Sequence, residues 1–215
     1  MNRGRLIAFE GLDGAGKSTQ LRRLAAALRA AGHATVETRE PTEGPIGRRI
    51  RERARSGAAV PAEVECGWFL EDRRAHVADT IEPALAAGRH LLCDRYTLST
   101  VAYQGARGLD WRALLAQAER EFPLPDLAIL LELDPAAGLA RVDARGAPRD
   151  LAFERADYLE QVAGIYRALR CSYLERVDAS RSEEAVFADV LHCAERRLGL
   201  ARARGAVLPE RRETR

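Results

Sequence analysis

Lysine occurs once in this chain, at Lys17, although Lys and Arg together number 34 among 215 residues. The exception falls in Gly11-Leu12-Asp13-Gly14-Ala15-Gly16-Lys17-Ser18-Thr19, the pattern G-x-x-x-x-G-K-S. Its glycines let backbone N–H groups turn inward around a phosphate, and a helix starting near Lys17 would aim its positive end at the same anion. A lysine there is a slim, flexible point charge where a planar guanidinium would not fit. Gly11 to Thr19 are therefore expected to hold the phosphates of ATP, with Lys17 on the β/γ-oxygens and the Ser18 hydroxyl on Mg²⁺.

Other residues could supply an acceptor side. Asp94 and Arg95 follow the apolar run Leu91-Leu92-Cys93, which places them at the C-terminal end of a strand, where open α/β sheets bind ligands. A carboxylate at Asp94 can assist Mg²⁺, and Arg95 can bridge an acceptor phosphate and the transferring one. Phe69 and Arg73, four apart, share a helical face, so a stacking ring and a phosphate-forking guanidinium would meet one ligand. Taken alone, Phe69 reads as a core residue. Ser99, Thr100, Tyr103 and Gln104 fall within about a turn and a half of helix, and Thr100 or Gln104 can hydrogen-bond a base edge. Asp13 is a carboxylate beside a triphosphate, an unwelcome neighbour that asks for a reason.

Elements must hold these groups in place. Strand-like apolar runs at 6–9, 34–38, 90–93, 127–131 and 173–177 alternate with helical patterns starting near Lys17, Ile46, Ala62, Trp111, Pro135, Ala156 and Glu183. That alternation predicts an α/β fold, a doubly wound, parallel five-stranded sheet. Leu21, Leu24, Ala25, Leu28 and Ala31 form one helical stripe, and Gly32 is placed to end it. The polar stretch DARGAPRD, 143–150, reads as an exposed loop and a candidate lid.

Composition narrows the function classes. A net charge of +2 is too small to argue for nucleic acid, and the basic excess sits at the end: five arginines against two glutamates put +3 in 201–215. That tail reads as disordered. The chain contains no apolar stretch of membrane-spanning length and no signal-like start, so a cytoplasmic protein without membrane partners is expected. Cys66, Cys93, Cys171 and Cys193 lack metal-site spacing and read as free thiols. A GTPase base reader, N-K-x-D, is excluded because the only lysine is Lys17. Motor ATPases need domains that 215 residues cannot hold. A compact kinase of a small acceptor remains.

Four blocks carry a resemblance to bacterial thymidylate kinases: F-E-G-L-D-G-A-G-K-S-T from Phe9, T-R-E-P from Thr38, F-L-E-D-R from Phe69, and D-R-Y-T-L-S-T-V-A-Y-Q-G from Asp94. The resemblance covers 1–198, with a helical lid at about 143–154 and the tail at 199–215. It implies a P-loop nucleotide kinase fold and transfer of the ATP γ-phosphate to dTMP with Mg²⁺, in a homodimer. It implies Arg95 as a catalytic arginine, Phe69 as the thymine platform, Arg73 as a phosphate clamp, and Tyr103 beneath the sugar. It puts Asp13 near the acceptor phosphate or its Mg²⁺, and Arg39 and Glu40 at the acceptor's sugar-phosphate side. Alternatives are a kinase of another pyrimidine nucleotide, such as dUMP, and a nucleotide-binding protein without turnover.

The chain also departs from the family. Thr42-Glu43-Gly44 stands where many members have Gly-Gly-Thr, and Arg149-Asp150-Leu151-Ala152-Phe153-Glu154 replaces the usual Asp-Arg-Phe-Glu of the lid. Gly14 leaves the P-loop without an arginine, so the resemblance assigns the further catalytic cation to Arg145 or Arg149.

Overall fold

The computed structural model describes residues 3–144 and 156–199. Strands β1 (Leu6–Glu10), β2 (Thr35–Arg39), β3 (His90–Asp94), β4 (Leu127–Glu132) and β5 (Leu174–Asp178) form a parallel sheet in the order β2-β3-β1-β4-β5. The helices are α1 (Lys17–Ala30), α2 (Pro45–Ser56), α3 (Ala62–His76), α4 (Glu82–Ala86), α5 (Thr97–Gly105), α6 (Trp111–Glu121), α7 (Pro135–Ala144), α8 (Ala156–Ala168) and α9 (Glu183–Leu198). Each expected strand end and helix start lies within one residue of the observed one.

Consecutive side chains of a strand point to opposite faces, and β1 is packed accordingly. Ile7 and Phe9 pack with Leu21, Leu24 and Leu28 of α1 and Val190 of α9. Leu6 and Ala8 face the opposite layer, with Leu85 of α4, Leu98 and Val101 of α5, and Val162 of α8. Both faces of β1 are covered, so all five of its residues are buried. The chain leaves β1 toward β2 and leaves β3 toward β4, in opposite directions. The crevice beyond the C-terminal ends of β1 and β3 is thus the switch point where such sheets bind ligands.

Two helices were not foreseen as elements. Eight of the nine residues of α5 are buried, so it shows no amphipathic period. α4 has five residues, too few for a period, and continues from α3 through a π-helical turn, Val77–Ile81. There Glu82 N–H bonds to Val77 O, five residues back, just before Pro83, which has no N–H to give. The loop expected at 143–150 also needs a correction, because α7 runs on through Asp143 and Ala144. Residues 145–150, with Arg145 and Arg149, lie outside the described residues, as does 200–215 of the tail. All four cysteines are free. Among the described residues, no helix is long and apolar enough to cross a membrane.

Candidate active site

The loop after β1 meets α1 at Gly16, whose φ of 91° is left-handed. No side chain caps α1 and its first turn holds no acid, so its leading N–H groups are left for an anion. Gly14, at φ 82°, presses against α7: a Cβ there would lie 2.3 Å from Gly138 O. With α7 in this place, position 14 admits no arginine, which gives the sequence departure a steric reason. Lys17 is buried, and its Nζ donates to Leu12 O at 2.9 Å, 3.5 Å from Asp13 Oδ1. Burial and the nearby Arg95 guanidinium lower its ammonium pKa, while Asp13, Asp94 and Glu10 oppose the fall. Ser18 Oγ donates to Asp94 Oδ2, so the two oxygen ligands expected for Mg²⁺ stand side by side.

Arg95 occupies the crevice end of β3 in the left-handed region, φ 69°. For a residue with a Cβ this costs about 1–2 kcal/mol. The surroundings hold it there: its N–H bonds to Phe9 O at 2.9 Å. Nη1 donates to Gly11 O and Ser99 Oγ, both at 3.1 Å. Nη2 donates to Asp13 Oδ1 at 2.7 Å and Tyr103 Oη at 3.2 Å. One guanidinium thus ties the P-loop to α5. Burial would raise the Asp13 carboxyl, but Arg95 and Lys17 outweigh it and hold Asp13 well below the usual carboxylate range. Asp13 is an anion whose partner is Arg95.

Beneath this layer is Glu10, a residue not expected in the site from the sequence. It is fully buried and accepts from Tyr96 N at 3.0 Å and from Ser99 Oγ. Burial pushes its carboxyl up, against the hydrogen bond from Ser99 and the charge of Arg95. A lone acid ending an apolar strand was the available signal.

A cavity opens from Asp13 and Arg95 inward, lined by Phe69 and Arg73 of α3, Ser99, Thr100 and Tyr103 of α5, and Ile50, Arg51 and Ala54 of α2. Glu40 and Pro41, after β2, complete it. Arg73 is 1% exposed. Its Nε and Nη2 donate to Glu40 Oε2 at 2.9 and 2.6 Å, and Nη2 also reaches Thr100 Oγ1 at 2.8 Å. Its Nη1 is buried with no hydrogen-bond partner.

Two expected residues do not line this cavity. Arg39 points to the exposed rim, paired with Glu43. Gln104 is fully buried behind α5, with Nε2 donating to Glu65 Oε2 at 3.0 Å. Conversely, Arg51 lines the cavity and was not singled out. Five arginines crowd 48–55, and only the fold shows which one turns inward. Arg51 donates to Pro41 O at 2.8 Å and to Glu43 Oε2 at 2.6 Å. On the other side of the P-loop a second groove is lined by Gly14, Gly16, Thr19, Arg141 and Arg181. Arg141, also missed, donates to Ala179 O at 3.0 Å.

Known proteins bear on this geometry. A family model described as thymidylate kinase matches residues 9–190. A thymidylate kinase of Desulfotalea psychrophila is 43% identical over 190 residues, covering 88% of this chain and 94% of its own. One from Xanthomonas campestris pv. campestris is 48% identical over 185 residues, 86% of this chain and 80% of its own. One from Xylella fastidiosa is 42% identical over 212 residues, 97% and 95%.

Proposed function

The chain belongs to the thymidylate kinase family, and from that premise we propose how its residues move the γ-phosphate of ATP onto dTMP. The observation that carries the reading is the buried cavity running from Arg95 and Asp13 down to Phe69 and Arg73. It is apolar on the Phe69, Ile50 and Ala54 sides and cationic at both ends, as a flat base with one phosphate requires.

ATP lies with its phosphates along Gly11–Thr19, Lys17 exchanging Leu12 O for the β- and γ-oxygens, and its adenine toward the groove of Arg141 and Arg181. Ser18 and Asp94 would hold Mg²⁺, which neutralises charge on the triphosphate oxygens. The acceptor's phosphate meets Arg95 and Arg51, and its base stacks on Phe69. A phosphate oxygen of dTMP attacks the γ-phosphorus. The bond to the bridging oxygen breaks, and ADP leaves with the electron pair. The attacking oxygen is already anionic, so the chemistry asks for positioning and charge neutralisation and for no general base. Asp13 keeps Arg95 aimed between the two phosphates.

For Arg73 we propose a role other than the phosphate clamp implied by resemblance. Glu40 engages two of its nitrogens, and the remaining Nη1 is a buried donor without a partner, on a side chain that lines the cavity together with Phe69. Such a donor fits an exocyclic carbonyl of the pyrimidine and is left unmet by an amino group. Gln104 and Arg39 we place in supporting positions.

The test is an acceptor series at saturating ATP and Mg²⁺. dTMP and dUMP should turn over, and dCMP should have a kcat/KM roughly 5- to 150-fold lower, since leaving a buried donor unpaired costs about 1–3 kcal/mol. Comparable rates for dCMP would remove the base-edge reading. Silence with every nucleotide would favour binding without turnover. The homodimer implied by resemblance is read by sedimentation equilibrium.

A further inference from the structure

Behind the acceptor cavity runs a line of hydrogen bonds that the transfer step does not use. Thr38 Oγ1 lies 2.7 Å from His76 Nε2, and His76 Nδ1 lies 2.9 Å from Glu40 Oε1. Glu40 in turn receives Arg73, which reaches Thr100. Glu40, His76, Arg73 and Thr100 are all buried.

Both arginine contacts fall on the same carboxylate oxygen, Oε2. Two bonds to one oxygen leave the carboxylate free to turn about its terminal torsion, which is broad in glutamate. His76, on the other oxygen, stops that rotation. A carboxylate facing Nδ1 selects the tautomer with its proton on Nδ1, and Nε2 is then an acceptor for the Thr38 hydroxyl. Thr38 belongs to β2, which is hydrogen-bonded along β3, so the imidazole is referenced to the sheet. In that tautomer the ring meets both neighbours at once.

Glu40, His76 and Cys93 present ligand atoms within 4.8 Å of one another, a spacing that would suit a metal ion. The surrounding chemistry argues otherwise. Both Glu40 oxygens are engaged, an arginine lies against the carboxylate, and burial with nearby carboxylates pushes the Cys93 thiol well above its ordinary pKa. Cys93 Sγ donates to Arg95 O at 3.0 Å and stays a thiol. The cluster is a hydrogen-bonding device.

We propose that His76 is the positioning residue of the acceptor site: through Glu40 it fixes the orientation in which Arg73 Nη1 meets the pyrimidine carbonyl, and so sets selectivity for an oxo over an amino group at that edge. The inference rests on the base-edge reading of Arg73. On this view Thr38 and His76, which do not line the cavity, tune which base is accepted through Glu40, which does.

Steady-state kinetics with dTMP and dCMP at saturating ATP and Mg²⁺ test it, on His76→Leu, His76→Asn, Thr38→Val and, as reference, Arg73→Lys. His76→Leu should raise the dTMP KM and narrow the dTMP/dCMP ratio of kcat/KM by about tenfold or more, the worth of one charge-assisted hydrogen bond. The ATP KM should stay unchanged. His76→Asn keeps an N–H where Nδ1–H was and should recover most of the dTMP affinity. If His76→Leu leaves dTMP behaviour intact while Arg73→Lys damages it, the inference is overturned and the base-edge reading stands. If Arg73→Lys itself leaves the dTMP/dCMP ratio untouched, the base-edge reading fails. Should His76→Leu not fold, Thr38→Val decides, because it removes only the outer hydroxyl. It should raise the dTMP KM alone, and an unchanged KM, or equal rises for ATP and dTMP, overturns the proposal.

Discussion

At Lys17 a buried ammonium rests on its own loop, bonded to Leu12 O, with Asp13 close by. On the proposed reading those contacts are exchanged for phosphate oxygens when ATP binds. Lys17→Ala should therefore abolish transfer while dTMP binding, followed by calorimetry, stays nearly intact, since a preorganised cation at the developing charge is worth about 3–4 kcal/mol. A variant keeping a substantial fraction of wild-type kcat would remove the assignment. Phe69→Ala should instead raise the dTMP KM roughly 5- to 150-fold, from about 1–3 kcal/mol of base stacking, and leave the ATP KM alone. Equal effects on both substrates would mean that the ring is core. Asp13 makes a prediction about pH. Its folded carboxyl titrates below its ordinary range, so it contributes stability that is present above the unfolded pKa of 3.8 and lost as pH falls through the folded value. The Tm advantage of the wild type over Asp13→Asn should hold from neutral pH to about 5 and shrink on further acidification below the ordinary carboxylate value. An advantage that grew with acid would contradict the Arg95–Asp13 pairing.

At the scale of elements, the P-loop is shaped as much by α7 as by its own glycines. Gly14 and Gly138 meet backbone to backbone, and a Cβ on Gly138 would lie 2.7 Å from Asp13 O. Gly14→Ala adds a Cβ at φ 82° against Gly138 O, so it should lower both Tm and ATP affinity, with backbone strain alone on the order of 1–3 kcal/mol. An unchanged Tm would show that α7 shifts freely. The same contact denies this loop an arginine of its own. Arg149, outside the described residues, is by resemblance a source of the further cation. Arg149→Ala should lower kcat with little change in either KM, and normal turnover in Arg145→Ala, Arg149→Ala and the double variant would leave Arg95 as the only transition-state arginine.

Across the whole molecule, the proposed donor and acceptor sides lie on opposite flanks of β1, joined by Arg95. In the proposed arrangement the loop after β1 bears the donor, while α3 and α5 hold the acceptor. The Arg73–Glu40 pair fastens α3 to the end of β2, so its loss should be felt by the fold as well as the site. Glu40→Ala leaves a buried arginine uncompensated and should cost about 3–5 kcal/mol of stability, a Tm fall of roughly 10 °C.

Much of this was readable in the sequence, because the signals were local. A glycine-rich turn between a strand and a helix, a lone lysine, apolar runs of the right length and a ring four residues from an arginine are all short-range patterns. The strand at 6–9 and the stripe of α1 come from them directly. The residues that escaped are those whose role depends on distant partners. Arg51 is one of several equivalent arginines until α2 docks. Glu10 is an odd acid until Tyr96 and Ser99 close over it. Gln104 shares a helical turn with Thr100 and yet faces Glu65, because α5 is buried all round and offers no polar face to read.

The sequence by itself determined the class of chemistry and the order of elements, since backbone geometry at phosphate needs particular residue types at fixed spacing. Only the tertiary structure decided which nitrogen of Arg73 is left without a partner and that His76 and Thr38 stand behind Glu40. Those contacts join residues more than 25 positions apart, and their energies depend on burial, which no spacing encodes.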